Sequence, residues 1–297
     1  MKHLITLLLL LNVAAAFGQQ QVLSTQYVNN RMLINPGYAG TSESMEVTAW
    51  YRKQWVGIEG APNTQTFSIQ GPTAPGSKSG FGALIVRDEI GVRQQLGIYV
   101  AAAQQVQLTD RIRLSLGIQG GLLNYQAEFS QLLGFADDPA FAAGDFSRVK
   151  PNIGAGLFLY SNNFHIGFSS PNLIENKIGL NDFDTDATVR RFYYLDMGKD
   201  FQLNRDFELK TNTLWKFTRG GGLQFDVMTL VGVRDKIWFG GLYRYNESFD
   251  ALFRTRLSDT LQLGYSYDFG SSTELSRLNN GSHEVMLNLI IPKLRKR

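Results

Sequence analysis

Three observations predict an all-β chain: a transmembrane antiparallel up-and-down β-barrel of outer-membrane type with about fourteen strands. The chain opens with the pattern of an export signal. Behind it, segments of about ten residues alternate apolar and polar side chains, the period of a strand with one greasy face. The connections between those segments then sort by length onto two alternating ends.

The export signal comes first. Lys2 and His3 form a short cationic start, residues 4–11 an apolar stretch, and Ala14, Ala15, Ala16 and Gly18 supply small residues for cleavage. Residues 1–18 are expected to be a cleaved signal peptide with Gln19 leading the mature chain; cleavage after Ala16 is the alternative. The apolar stretch falls short of the ~20 residues that a spanning helix needs. Residues 19–40 are too polar to span and read as a periplasmic or lumenal lead-in. Lining the lumen, plugging it and leading in as disordered chain all fit the pattern.

Composition agrees. Charged residues make up 19% of the 297, aromatics 12%, and there are 30 glycines. Such a chain suits β-structure with tight turns and wet–dry boundaries. The formal charge of +3 is too small to argue for nucleic acid. The absence of cysteine excludes disulfides, thiolate metal sites, Cys nucleophiles and a lipid anchor on cysteine. A closed barrel, with every strand paired, would give an exported chain its stability instead.

Residues 41–291 carry the barrel pattern. Ile112, Leu114, Leu116, Ile118 and Leu122 oppose Arg111, Arg113, Ser115, Gly117 and Gln119. Phe207, Leu209, Trp215 and Phe217 oppose Glu208, Lys210, Asn212 and Lys216. Leu223, Phe225, Val227 and Val231 oppose Gln224, Asp226 and Arg234, and Leu261, Leu263, Tyr265, Tyr267 and Phe269 oppose Gln262, Gly264, Ser266 and Asp268. Side chains alternate across a strand, so each segment has an apolar and a polar face. The polar faces hold charges and Gly, as a wet or loosely filled lumen would. Aromatics recur at segment ends, where membrane girdles are expected: Trp50, Tyr51, Trp55, Tyr160, Tyr193, Tyr194, Trp215, Trp238, Tyr243, Tyr245, Tyr265 and Tyr267.

Connections settle barrel against sandwich. From a periplasmic start, one end receives Thr109 and Asp110, then 161–163, 203–205, Asp235, and Ser258 with Asp259. The other receives 57–62, 127–150, 171–188 and 270–280, which include every long loop. Short periplasmic turns and long extracellular loops mark outer-membrane barrels. Residues 71–78 are the exception, long for their end. No repeat and no second domain are visible. Residues 292–297 form a basic tail that parity places in the periplasm.

Several motifs resemble a known family. They are Asn35-Pro36-Gly37-Tyr38-Ala39-Gly40, Tyr51-Arg52-Lys53-Gln54-Trp55-Val56-Gly57 and Gly60-Ala61-Pro62-Asn63-Thr64 near the start. Pro151-Asn152-Ile153-Gly154-Ala155-Gly156 and Trp238-Phe239-Gly240-Gly241-Leu242-Tyr243-Arg244 follow, then Gly264-Tyr265-Ser266-Tyr267-Asp268 and Gly281-Ser282-His283-Glu284-Val285. In order and over nearly the whole mature chain, these resemble the PorP/SprF family of outer-membrane proteins, associated in Bacteroidetes with type IX secretion and gliding motility. The resemblance implies a non-enzymatic partner in secreting or anchoring surface proteins, with no cofactor. Its motif positions here are Asn35, Pro36, Tyr38, Gly40, Arg52, Gln54, Trp55, Pro62, Arg244, Gly264, Tyr265, Tyr267, Asp268, Gly281, His283 and Glu284. Gly37 stands where the family has Ala, a small-for-small change. The end, Ile291-Pro292-Lys293-Leu294-Arg295-Lys296-Arg297, lacks the terminal aromatic that barrel insertion commonly reads.

The residues also have their own physical reading. Asn35-Pro36-Gly37 is a turn signal before the first strand. Arg52 suggests a cation–π contact with Trp55, although girdle packing is the plainer account of the tryptophan. His283-Glu284 lacks the second His of a zinc helix and reads as a structural or partner-contacting pair. Asn181-Asp182-Phe183-Asp184-Thr185-Asp186 places carboxylates at alternate positions, as calcium loops do. Ala187 and Tyr193, however, stand where such a loop needs Gly and Glu, so it reads as a solvated acidic loop, as does Asp137-Asp138-Pro139. Lys293, Arg295, Lys296 and Arg297 are candidates for an electrostatic contact with a periplasmic secretion component.

Three functions follow, in descending order of support. The first is an interaction protein working with type IX secretion components, a secreted or surface-anchored protein and outer-membrane lipid. The second is a diffusion porin. The third, a hydrolase, lacks a constellation: His165 and His283 alone remain after signal removal, and neither sits in a Ser/His/Asp pattern.

Overall fold

The computed structural model describes residues 24–131, 145–177, 188–219, 221, 223–270 and 279–292. The expected signal peptide 1–18, the acidic run 181–186, residues 137–139 and the tail 293–297 lie outside these.

Fourteen strands close into one antiparallel barrel. They are β1 (Met45–Lys53), β2 (Asn63–Pro72), β3 (Ser79–Ile90), β4 (Arg93–Gln107), β5 (Arg113–Ala127), β6 (Phe146–Tyr160) and β7 (Phe164–Ser170), then β10 (Phe192–Gln202), β11 (Phe207–Thr218), β12 (Gln224–Val233), β13 (Ile237–Arg244), β14 (Ser248–Arg256), β15 (Leu261–Asp268) and β16 (Ser282–Ile291). A two-stranded ribbon, β8 (Asn176–Lys177) with β9 (Thr188–Val189), sits in the connection after β7. Each barrel strand pairs with its sequence neighbours, and β1 meets β16 from Met45↔Ile291 to Lys53↔His283, which leaves the sheet no edge.

The connections sort as their lengths predict. One end carries all the longest connections, 54–62, 128–145, 171–191 and 269–281, with 219–223 and the tight turns 91–92 and 245–247; the other carries 73–78, 108–112, 161–163, 203–206, 234–236 and 257–260. The tight turns have recognisable chemistry. Arg234 and Asp235 both take positive φ (50° and 55°), and Lys236 N–H donates to Val233 C=O (3.0 Å), the primed turn whose twist matches flanking strands. Several boundaries differ from expectation: Arg111, Ile112, Arg234 and Phe269 fall in connections rather than in strands. Pairing of β5 with β6 runs to Ala127↔Phe146, because Phe146, Arg148 and Lys150 keep strand alternation within the expected loop 127–150. Gly71 and Pro72 belong to β2, so the exceptional turn is 73–78. In the long β5–β6 connection, the N–H (2.9 Å) and hydroxyl (2.8 Å) of Ser130 donate to Asp145 and hold its carboxyl below the usual range.

The apolar faces point outward: Ile118 is 67% exposed and Val100 65%, a sheet dressed for lipid rather than water. Three of the predicted girdle aromatics face the other way. Trp50, Tyr194 and Trp238 are buried inside the barrel. Tyr160 also turns in, donating to the buried Gln105 (2.8 Å). The reason is parity: Trp50 shares its face with Arg52, Tyr194 with Asp196, and Trp238 with Arg244, all lumenal.

Candidate functional site

The lumen is threaded by the chain's own start. Residues 24–40 run from the long-connection end, at Ser24, to the short-turn end, at Gly40, in three 3-10 turns: Gln26–Asn29, Arg31–Leu33 and Pro36–Tyr38. Such short pieces suit a segment without a lattice of its own, whose polar groups are satisfied by the wall. Asn30 caps the second turn and Asn35 the third, each side-chain oxygen accepting the N–H two residues on (3.0 Å from Met32, 2.8 Å from Gly37).

At the long-connection end the segment docks on a charged belt. Glu284, fully buried, accepts the Ser24 hydroxyl (2.6 Å) and the N–H groups of Thr25 and Gln26 (2.9 Å each). Arg52 balances it, donating to Glu284 (3.3 Å), to Asp268 (3.0 Å) and to the Thr25 hydroxyl (3.1 Å), which itself donates to Asp250 (2.6 Å). Arg244 lies 3.4 Å from Asp226, and Asp226 lies 3.1 Å from Lys216. The belt thus takes one charged residue from each of seven adjacent strands, β11 to β16 and β1. Buried charges persist only when paired and hydrogen-bonded, and here the lead-in supplies part of that pairing.

The middle is mixed. Arg31 donates to Asp196 (2.7 Å), whose same oxygen lies 3.2 Å from His165 Nε2, and to Asn212 (3.1 Å). Asn30 donates to Thr48 (2.9 Å) and Ser68 (2.6 Å), and Arg254 to Asn29. Tyr27, Val28 and Ile34 pack with Tyr194, Leu214, Met228, Leu230, Leu242 and Leu252. The inward faces of β10 to β14 are therefore greasier than a loosely filled, wet lumen would be.

At the short-turn end the contact is close. Asn35 donates to the Leu157 carbonyl (2.9 Å), Ser169 to the Ile34 carbonyl (2.7 Å), Gln105 to the Gly40 carbonyl (2.5 Å), and Gly40 N–H to Gln70 (2.8 Å). Tyr38 meets Phe158 edge-on, centroids 5.5 Å apart. The wall is glycine where the segment presses on it. A Cβ on Gly117 would stand 2.4 Å from Pro36 and Gly37, and one on Gly80 2.3 Å from the Ala39 carbonyl oxygen. A polar cleft of about 190 Å³, bordered by Thr41, Glu43, Lys78 and Arg113, opens where the segment turns into β1.

The motif residues fall into four places. Asn35, Pro36, Tyr38 and Gly40 belong to the threaded segment. Arg52, Arg244, Gly264, Asp268 and Glu284 face it from the wall, Gly264 beneath the Gln26 side chain. Gln54, Trp55, Pro62 and Gly281 shape the long-connection end, where Gln54 N–H donates to Pro62 C=O (2.9 Å) and Trp55 N–H to Ser282 (3.4 Å). Tyr265, Tyr267 and His283 lie on the outer face, with Tyr265 and His283 2.7 Å apart. Two expectations are corrected. Arg52 turns into the lumen to its carboxylates, away from Trp55, which is half-buried in the connection. His283 and Glu284 do not act as a pair, since adjacent strand residues point to opposite faces. Thr25, Arg31, Asp196, Asp226 and Asp250 were missed as site residues, although the charge of the last three on polar strand faces was a usable signal.

The sequence model of the type IX secretion system membrane protein PorP/SprF matches residues 16–289. The chain belongs to the PorP/SprF family. No curated protein matches it in sequence. Among solved structures, a monoaromatic hydrocarbon channel, CymD, superposes with a TM-score of 0.54 over 92% of this chain and 94% of its own, at 9% identity. A FadL homologue of Pseudomonas aeruginosa does so with a TM-score of 0.51 over 86% and 91%, at 12% identity. At these identities the likeness is one of fold, an outer-membrane barrel. Most of the residues expected as motif positions lie where lead-in and wall meet or at the long-connection end.

Proposed function

We propose that this PorP/SprF barrel is a non-enzymatic partner in type IX secretion that holds or helps export a cell-surface protein, and that it does so with its lumen closed. The observation that carries the reading is the threaded segment. Its hydrogen bonds and the two apolar clusters around it draw on wall strands all round the barrel, which suits a platform better than a conduit. In this reading the signal peptide is cleaved, the long connections face outward to the cargo, and the short turns face the periplasm. Lys293, Arg295, Lys296 and Arg297 then meet a periplasmic secretion component; deleting 293–297 is expected to weaken its recovery.

Affinity purification of the tagged protein from native outer membranes, with mass spectrometry of what accompanies it, tests this reading. Recovery of secretion components or a large surface protein is the expected result. Generic barrels alone, together with steady ion conductance of the reconstituted protein, would favour a diffusion porin instead.

A further inference from the structure

The outer face is uneven around the barrel. Every barrel strand outside β4–β6, except β16, turns at least one aromatic ring outward, among them Tyr51, Phe67, Phe168, Trp215, Tyr243 and Tyr265. The outward positions of β4, β5 and β6 carry none, although each strand has 15 residues, more than any other. They carry no charge either. What they present is aliphatic and unusually bare: Val100, Ile118, Leu122, Val149 and Ile153 are all more than half exposed. Above this patch the outward residues are uncharged polar ones, Asn124 and Ser147, joined by a 3.0 Å hydrogen bond, with Gln126 beside them. A lipid-facing sector meets headgroups at the membrane boundary, through girdle aromatics or cationic side chains. This sector has neither.

We infer that the outer face of β4–β6 seats a second copy of this chain, forming a two-fold dimer in the membrane. The patch is self-complementary. Gly120 is a dent in which an added Cβ would meet nothing within 4 Å, and its cross-strand partner is the ridge residue Val100. A two-fold axis along the membrane normal, passing through the Val100–Gly120 pair, brings Val100 of each copy beside Gly120 of the other, the reciprocity that a symmetric interface requires. The missing charge points to a copy over an unrelated barrel. Two-fold symmetry sets like beside like near the axis, so an interface between copies has to be uncharged there, whereas an interface with another protein does not. The size suffices. Three strands at about 4.8 Å spacing, over about ten membrane-crossing residues each, offer roughly 500 Å² per copy. The total of about 1,000 Å² reaches the threshold of a specific interface.

The chain has no cysteine, so single cysteines report cleanly. Two differently tagged copies carrying Ile118→Cys are co-expressed and treated in native outer membranes with a short bis-maleimide. A band of twice the monomer mass that holds both tags is expected. Thr229→Cys, exposed on β12, five strands round the barrel from β5, is expected to stay monomeric. Adding Gly120→Phe, which fills the dent, should abolish the Ile118 adduct while heat-modifiable gel migration confirms a folded barrel. The proposal is overturned by an Ile118 adduct with only one tag, by equal adducts at 118 and 229, by an adduct that survives Gly120→Phe, or by no adduct from a folded protein.

Discussion

Glu284 concentrates the chemistry of the threaded lumen in one side chain. It accepts three hydrogen bonds from residues 24–26 and offsets Arg52, with both side chains almost wholly removed from water. Removing one member of such a pair leaves the other charge buried, a loss of about 3–5 kcal/mol. Glu284→Ala is therefore expected to lower the denaturant midpoint of the folded barrel. It should also free residues 24–26, read as faster maleimide labelling of a cysteine placed at Ser24. An unchanged labelling rate would mean that the segment is held by other contacts. Gly117 argues from the opposite direction. Gly117→Val adds bulk 2.4 Å from the Pro36 turn and should destabilise by about 1–3 kcal/mol, with hydrogen exchange rising over 35–40 before any strand. Sequence parity already placed Asp268 inside, and the same parity, followed from Arg52 and Arg244, would have turned Trp50 and Trp238 inward. What it could not give was the meeting of Arg52 with Glu284, 232 positions apart in the chain, because that contact exists only once β1 has closed on β16.

Strands were legible as elements because each carries its own signal: alternation along its length and turn residues at its ends. The lead-in was not. Its residues have no period, and its three 3-10 turns are shaped by partners on distant strands, such as Asp196 for Arg31 and Gln105 for the Gly40 carbonyl. A segment whose local bonds make only single turns, and whose place is set by long-range contacts, looks locally like a disordered tail. The element is nonetheless expected to matter as a unit. Deleting residues 24–40 would bare Tyr194, Leu214, Leu230 and Leu242 to the lumen and leave Glu284 with Arg52 as its remaining partner, without its three donors from residues 24–26. Planar-bilayer recordings should then show conductance absent from the intact chain, with a lower thermal midpoint. If the intact chain conducts as well as the deletion, the segment does not close the lumen.

The whole molecule has two unlike ends, and the assignment of each to a side of the membrane rests on one physical regularity. Outer-membrane barrels keep their short turns in the periplasm and their long connections outside. Here the end with 128–145, 171–191 and 269–281 also holds the charged belt and the start of the threaded segment, while the last strand finishes, at Ile291, at the end with the tight turns. The absence of cysteine makes the assignment directly measurable. Glu59→Cys, exposed between β1 and β2, is expected to react with a membrane-impermeant maleimide in intact cells. Ala74→Cys, exposed between β2 and β3, is expected to react only after the outer membrane is permeabilised. The opposite order would put the tail outside. The belt and the long connections would then face the periplasm, and a cargo-holding surface would have to be sought among the short turns, where the chain offers little to hold it.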